Sequence, residues 1–216
     1  MYSWKELVCA LVVSGGLLVM GATTVIKGSA TWKQQKCASN LKGIQQLAAA
    51  YQNDHDGTFQ PVILQTKPRW TFWYSFVAKY GSNPSVFYCP ANPKAEKILM
   101  VDDGESDLLP AVLDQVSISY GMNFCLSTSG GSESAKADNV KLLVNPATTI
   151  YFGDSKTLTL RPTKWCWKED YAPIHEGASN FVYVDGHVET LNETNLGTLH
   201  AFDEWKRDTT PWKNWK

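Results

Sequence analysis

An excess of charge of either sign is missing from this sequence. Its 216 residues carry 20 Lys and Arg against 21 Asp and Glu, a formal net charge of -1, and no Lys/Arg block. A nucleic-acid binder shows a basic stripe, and a polybasic tail needs clustered like charge. Neither is present, so nucleic acid is not an expected partner. Catalytic signatures are missing too: there is no G-x-S-x-G, H-E-x-x-H or P-loop. The four histidines are scattered along the chain, and an enzyme is not expected. The spacing C-x-x-C is also absent, so the five cysteines spell neither a zinc ribbon nor a thioredoxin-like redox pair. Cys9 sits in an apolar stretch and reads as a small hydrophobe. Cys37, Cys89, Cys125 and Cys166 form a pool for one or two disulfides in an exported domain, with the pairing open.

What is there begins with a long apolar run. Leu7 to Ile26 reads LVCALVVSGGLLVMGATTVI, 20 residues without a charge, about the length of helix that crosses a bilayer core. A buried core helix is disfavoured because the run is apolar on every side. A cleaved secretory signal competes, since Lys5 precedes the run and Gly21-Ala22 follows its apolar body. The continuation favours a retained membrane helix. Apolar residues recur at Cys37, Leu41, Ile44, Ala48 and Tyr51, in steps of four, three, four and three, which is one stripe of an α-helix. Asn53-Asp54-His55-Asp56-Gly57 supplies the stop. One long helix is therefore expected from about Trp4 to Asn53, bent at Gly15-Gly16 or Gly28 if anywhere. Lys27, Lys33 and Lys36 follow the apolar run, whereas Lys5, offset by Glu6, precedes it. The positive-inside rule would then keep the globular part in the cytoplasm. A basic leader cleaved before Met1 would reverse that balance, so the numbering is expected to start at or near a mature N-terminus.

Several pieces of the chain together resemble one family. CASNLKGIQQLAAAYQNDHDGTFQP (Cys37 to Pro61) is similar to the segment after the hydrophobic helix in bacterial pilin-like proteins of the H-X9-DG group. His175, nine intervening residues and Asp185-Gly186 match the motif that names the group. VFYCP (Val86 to Pro90), SYGMN (Ser119 to Asn123) and TIYFGDS (Thr149 to Ser155) lie between them in the family's order, and the likeness runs to about Leu191. The resemblance implies an α+β fold of the type IV pilin or type II secretion pseudopilin kind, with a long N-terminal helix packed on an antiparallel sheet. The chain is expected to divide into residues 1–53 (helix), 54–200 (globular head) and 201–216 (a Trp-rich tail). The resemblance also implies a structural subunit that leaves the inner membrane with the help of assembly machinery. Copies would then stack by their helices into a cell-surface or extracellular filament. Family members carry a glutamate at the fifth mature position. Glu6 is the candidate here, fifth from Tyr2 and sixth from Met1. A carboxylate at the edge of a membrane helix is costly unless paired. In a filament the N-terminal amine of a neighbouring subunit, on Met1 or Tyr2, would pair with it and set the axial register. Glu6, Met1 and Tyr2 are thus the expected assembly residues.

The pattern His175, Asp185, His187 invites a metal reading, but such a site needs three or four convergent ligands. The local sequence suggests another role. Phe181 to Val184 and Val188 to Leu191 read as strands around Asp185-Gly186, the preferred dipeptide of a two-residue type I′ turn. His175 is then expected to hydrogen-bond into that hairpin or toward Asp154, making His175, Asp154, Asp185 and Gly186 a structural set with no metal. No cofactor is expected beyond a weak case for calcium. The loop at Asn53 to Gly57 lacks the closing glutamate of an EF-hand, and Asp102 to Asp107 and Ser127 to Asp138 read as solvated loops. Nine tryptophans are unusual for this length. Trp70 and Trp73 suit core packing. Trp165, Trp167, Trp205, Trp212 and Trp215 suit a surface, since aromatics carry much of the energy at interfaces. The alternative reading is therefore a single-span binding module presenting aromatics to a glycan or protein.

Overall fold

The structure, a computed structural model, describes residues 4–66, 69–81, 83–92, 96–98, 116–126, 139–143, 145–161 and 170–198, with side chains in the first helix described from Gly28 onward. Helix α1 runs unbroken over Trp4–Asp54, 51 residues and about 77 Å of rise. It passes Gly15-Gly16 and Gly28 without interruption. Its second half buries the stripe the spacing predicts: Cys37, Leu41, Ile44 and Ala48 are fully buried and Tyr51 nearly so. The helix ends where the polar run begins. The Gly57 N–H reaches back to the Gln52 carbonyl at 2.7 Å, and Asp56 and Gly57 both take left-handed φ values of 55° and 88°. His55 closes the same end, its Nδ1 2.7 Å from the Tyr51 carbonyl and its ring stacked on Tyr51. Among the described residues no helix is long and apolar enough to cross a membrane. The run Leu7 to Ile26 lies in the part of α1 whose side chains fall outside them.

Beyond α1 the chain is a mixed helix-and-sheet domain, α+β in class. β1 (Ile63–Thr66) and β2 (Arg69–Phe72) form an antiparallel pair, followed by the short buried helix α2 (Trp73–Ala78). A 3-10 turn over Pro84–Phe87 is capped by the Asn83 side chain, which accepts from the Ser85 N–H. β3 (Glu96–Ile98) pairs with β4 (Val116–Ile118). The main sheet contains β5 (Tyr120–Asn123), β6 (Ile150–Asp154), β7 (Thr159–Leu160), β8 (Ala178–Tyr183) and β9 (Val188–Asn192), and α3 (Glu193–Thr198) follows it. Its spatial order is β7-β5-β6-β8-β9. All neighbours are antiparallel except β7, which pairs parallel to β5. The sheet is therefore mixed rather than purely antiparallel. The chain leaving β6 turns through Ser155–Leu158 and comes back on the far edge of β5.

β6 is buried along its whole length, as a central strand covered on both faces should be. Trp73, Phe87, Tyr120, Met122 and Phe152 join the α1 stripe in one core. Ile150, Phe181, Tyr183 and Leu191 belong to a second cluster. A polar network crosses the main core. The Tyr151 hydroxyl donates to Gln60 Oε1 at 2.6 Å and accepts from Gln52 Nε2 at 3.0 Å, which ties the end of α1 to the central strand.

Candidate functional site

The most concentrated chemistry in the domain lies where α1 meets the sheet. Cys37, the first residue of the buried stripe, is disulfide-bonded to Cys89, just past the 3-10 turn, with Cα atoms 5.0 Å apart. Both are fully buried. The Cys89 N–H donates to Ser119 Oγ at 3.0 Å, and the Asn40 side chain donates to the Tyr88 carbonyl at 2.7 Å. This stretch is therefore held from both sides. His175 Nε2 lies 3.6 Å from Cys89 Sγ and 3.2 Å from Asp154 Oδ2. Asp154 ends the central strand and is wholly buried. Its Oδ2 accepts the Asn180 N–H at 2.7 Å, while Oδ1 has no hydrogen-bond partner among the described residues.

The backbone explains why these groups meet. His175 and Ala178 exchange both backbone hydrogen bonds at 3.0 Å, closing a tight turn on Glu176 and Gly177, which both take left-handed φ values of 52° and 88°. That turn feeds straight into β8 and points the imidazole at the end of β6. Each piece that carries the family resemblance contributes one residue here: Cys37, Cys89, Ser119, Asp154 and His175. Burial pushes the Asp154 carboxyl above its ordinary range, with His175 and the Asn180 N–H opposing that shift. Burial, and then the Asp154 charge, push the Tyr120 hydroxyl well up.

The arrangement limits what chemistry can occur. Cys89 and Asp154 approach the same imidazole nitrogen, Nε2. A nucleophile–base–orienter relay uses the two ring nitrogens separately, one for the nucleophile and one for the acid. The sulfur is also bonded to Cys37 and out of solvent. In this form the cluster cross-links α1 to the head. It is also, among the described residues, a group of four metal-capable side chains, Cys37, Cys89, Asp154 and His175, whose ligand atoms all lie within 4.8 Å of one another.

The remaining candidates lie elsewhere. Asp185 and His187 do not join His175. Asp185 Oδ1 accepts the His187 N–H at 3.1 Å and meets His187 Nδ1 at 2.6 Å, at an exposed loop where His187 stacks on Tyr183. The two-residue type I′ turn expected at Asp185-Gly186 is not what forms. Tyr183 and His187 pair across a three-residue loop, and Gly186 alone takes a left-handed φ, 92°. The reason is that Val184 is held elsewhere: its N–H donates to the Thr149 carbonyl at 2.9 Å and its carbonyl accepts Gln45 Nε2 at 3.1 Å. The doubly left-handed turn occurs at Glu176-Gly177 instead.

Glu6 lies on α1 with its side chain outside the described residues, as is that of Cys125, and Met1, Tyr2 and Cys166 lie outside them altogether. So do the acidic loop Asp102 to Asp107, the segment Ser127 to Asp138, Trp165, Trp167 and the tail 201–216. Asn53 to Gly57 is occupied in ending α1. Trp73 is fully buried, and its Nε1 donates to the Leu158 carbonyl at 2.8 Å. Ser119, Asn180 and the approach of His175 to Cys89 had no signal in the sequence, because nothing in local spacing marks residues joined across 86 positions. No protein-family model, curated protein or solved structure matches the chain.

Proposed function

We propose that the protein is a structural subunit of a type IV pilus-like filament, a pilin or type II secretion pseudopilin, with no chemistry of its own. The observation that carries this reading is α1. It is tied to the sheet at Gln34, which donates to Thr190 Oγ1 at 3.2 Å and accepts from Asn180 Nδ2 at 3.4 Å. About 45 Å of continuous helix precedes that point, and it carries the apolar run Leu7 to Ile26. The same helix thus offers a greasy segment for a membrane or for neighbouring copies and a cross-linked segment that carries the head. Trp32, between the two, is 58% exposed and supplies an aromatic contact for an adjacent subunit.

In this reading the subunit waits in the inner membrane, assembles with copies of itself through dedicated machinery and ends at the cell surface. Glu6 sets the axial step by pairing with a neighbour's N-terminal amine. The test is negative-stain microscopy of material sheared from cells producing the wild-type chain or Glu6→Ala. Helical filaments from the wild type, and their loss in the variant with the subunit retained in the membrane, are expected. Discrete particles from the wild type, or filaments unchanged by the substitution, would remove the reading.

A further inference from the structure

We propose that Cys37, Cys89, Asp154 and His175 form a tetrahedral zinc site whenever the Cys37–Cys89 disulfide is reduced. The site is independent of whether the chain assembles into filaments. A zinc ion bound by sulfur at about 2.3 Å and by nitrogen or oxygen at about 2.0–2.2 Å spaces its ligand atoms as the edges of a tetrahedron. Those edges are about 3.3 Å for a nitrogen–oxygen pair and about 3.6 Å for a sulfur–nitrogen pair. The structure already has His175 Nε2 3.2 Å from Asp154 Oδ2 and 3.6 Å from Cys89 Sγ. The sulfur–sulfur edge is too short, because the two sulfurs are bonded, and all four ligand atoms lie within 4.8 Å of one another. Breaking that bond frees the thiols to rotate apart to about 3.7 Å, the spacing that a shared zinc requires.

A second observation points to the same place. Asp154 is wholly buried at the end of the central strand, and its Oδ1 has no hydrogen-bond partner among the described residues. A buried carboxylate oxygen left unpaired is costly. A cation held at Oδ2 would neutralise the buried carboxylate to which that oxygen belongs, and the donor set of two thiolates, one imidazole and one carboxylate suits zinc. The chemistry balances. A dithiol reductant gives two electrons and two protons to the disulfide and becomes a disulfide itself, leaving two thiols on the protein. Zinc then takes both sulfurs as thiolates and releases two protons to solvent. Disulfide and metal thus become alternative cross-links between the same two elements, α1 and the segment after the 3-10 turn. The first suits an oxidising compartment and the second a reducing one.

The full-length chain is reduced anaerobically with a dithiol, freed of reductant and titrated with Zn²⁺ alone. Its cysteines are then alkylated and mapped by mass spectrometry. One equivalent is expected to protect Cys37 and Cys89 from the alkylation they undergo in the reduced, metal-free chain, and the oxidised chain is expected to bind none. Cobalt(II) in place of zinc should show the visible absorption of a tetrahedral site with thiolate-to-metal charge transfer. Asp154→Asn and His175→Gln should each weaken binding on the order of a hundredfold, the loss of one ligand in four. The wild-type alkylation map stands even if a variant folds poorly. Absence of protection, protection spread evenly over all cysteines, or affinity unchanged in both variants would overturn the site.

Discussion

Replacing both members of the cross-link, Cys37→Ala with Cys89→Ala, tests how α1 is held to the head. The disulfide closes a loop with a sequence separation of 52. In the chain-entropy account a loop of that length restricts the unfolded chain by about 14 cal/mol/K, or about 4 kcal/mol at 25 °C. Against this, Leu41 and Ile44 are fully buried beside the cross-link, each contributing about 1.5–3 kcal/mol through burial. The double variant should therefore keep its fold, because the helix stays seated by packing. Its margin should narrow by about 3–4 kcal/mol, a large share of the roughly 5–15 kcal/mol typical of a domain. Urea unfolding in mild detergent, followed by circular dichroism, measures this. The extrapolated stability should drop by that amount, and the denaturant slope should rise, because an unfolded chain without the cross-link exposes more surface. Reduced wild-type protein in the absence of metal should show nearly the same loss. A drop below about 1 kcal/mol with an unchanged slope would refute the reasoning, since it would mean that no covalent tie restrains the unfolded chain.

Three further outcomes follow from the packing around the cluster. Gly153→Ala places a methyl group against the Phe181 ring and 3.2 Å from the Asn180 carbonyl, on the central strand where neither can move far; a loss of about 1–3 kcal/mol in urea unfolding is expected, and a neutral result would show that β6 and β8 are not so close. Tyr151→Phe removes the hydroxyl that bridges Gln60 and Gln52 and leaves two buried amides short of a partner. It should cost about 1–3 kcal/mol, and a stabilised variant would contradict the network. The third outcome depends on pH. Burial raises the Asp154 carboxyl above its ordinary value of 3.8, so the native state holds that proton more tightly than the unfolded chain does. Its contribution is complete below pH 3.8 and is lost as the pH rises through the native value. Urea midpoints across that range should show the wild type losing stability relative to Asp154→Asn as pH increases, and a wild type that stays level with the variant or gains on it would refute the assignment.

Much of the fold was legible because it follows from periodicity. The spacing of Cys37, Leu41, Ile44, Ala48 and Tyr51 states a helical face, and all five are buried. The polar run from Asn53 ends the helix within one residue of its expected limit. Strands β8 and β9 were visible as two short β-prone runs, Phe181 to Val184 and Val188 to Leu191, around a turn dipeptide. The form of that turn was not, since it depends on Thr149 and Gln45, which hold Val184 from distant parts of the chain. The parallel pairing of β7 was equally hidden. It is a two-strand contact made by the chain doubling back across β5, and two residues are too short for any pattern.

The cluster was legible only in fragments, and the reason is physical. Sequence spacing can propose a metal or redox site when its ligands share a turn or a helix face, as in C-x-x-C or H-E-x-x-H. Here the four groups arrive on four separate elements: α1, the segment after the 3-10 turn, the end of β6 and the turn into β8. Each looks ordinary alone: a small apolar residue in a helical stripe, a cysteine before proline, an acid ending a strand and a histidine in a loop ahead of Glu176-Gly177. The pattern His175, Asp185, His187 drew attention to the right histidine, and of the two partners expected for it, the hairpin and Asp154, it meets Asp154. Nine residues separate His175 from Asp185, but β8 lies between them and carries the Asp185 loop to its far end. The turn at Glu176-Gly177 sends His175 instead toward Asp154, 21 residues earlier in the chain and hydrogen-bonded to the neighbouring strand through Asn180. A histidine and an acid at opposite ends of one strand cannot share a site, whereas an acid at the end of the adjacent antiparallel strand can. The partner for His175 therefore had to be sought one strand over.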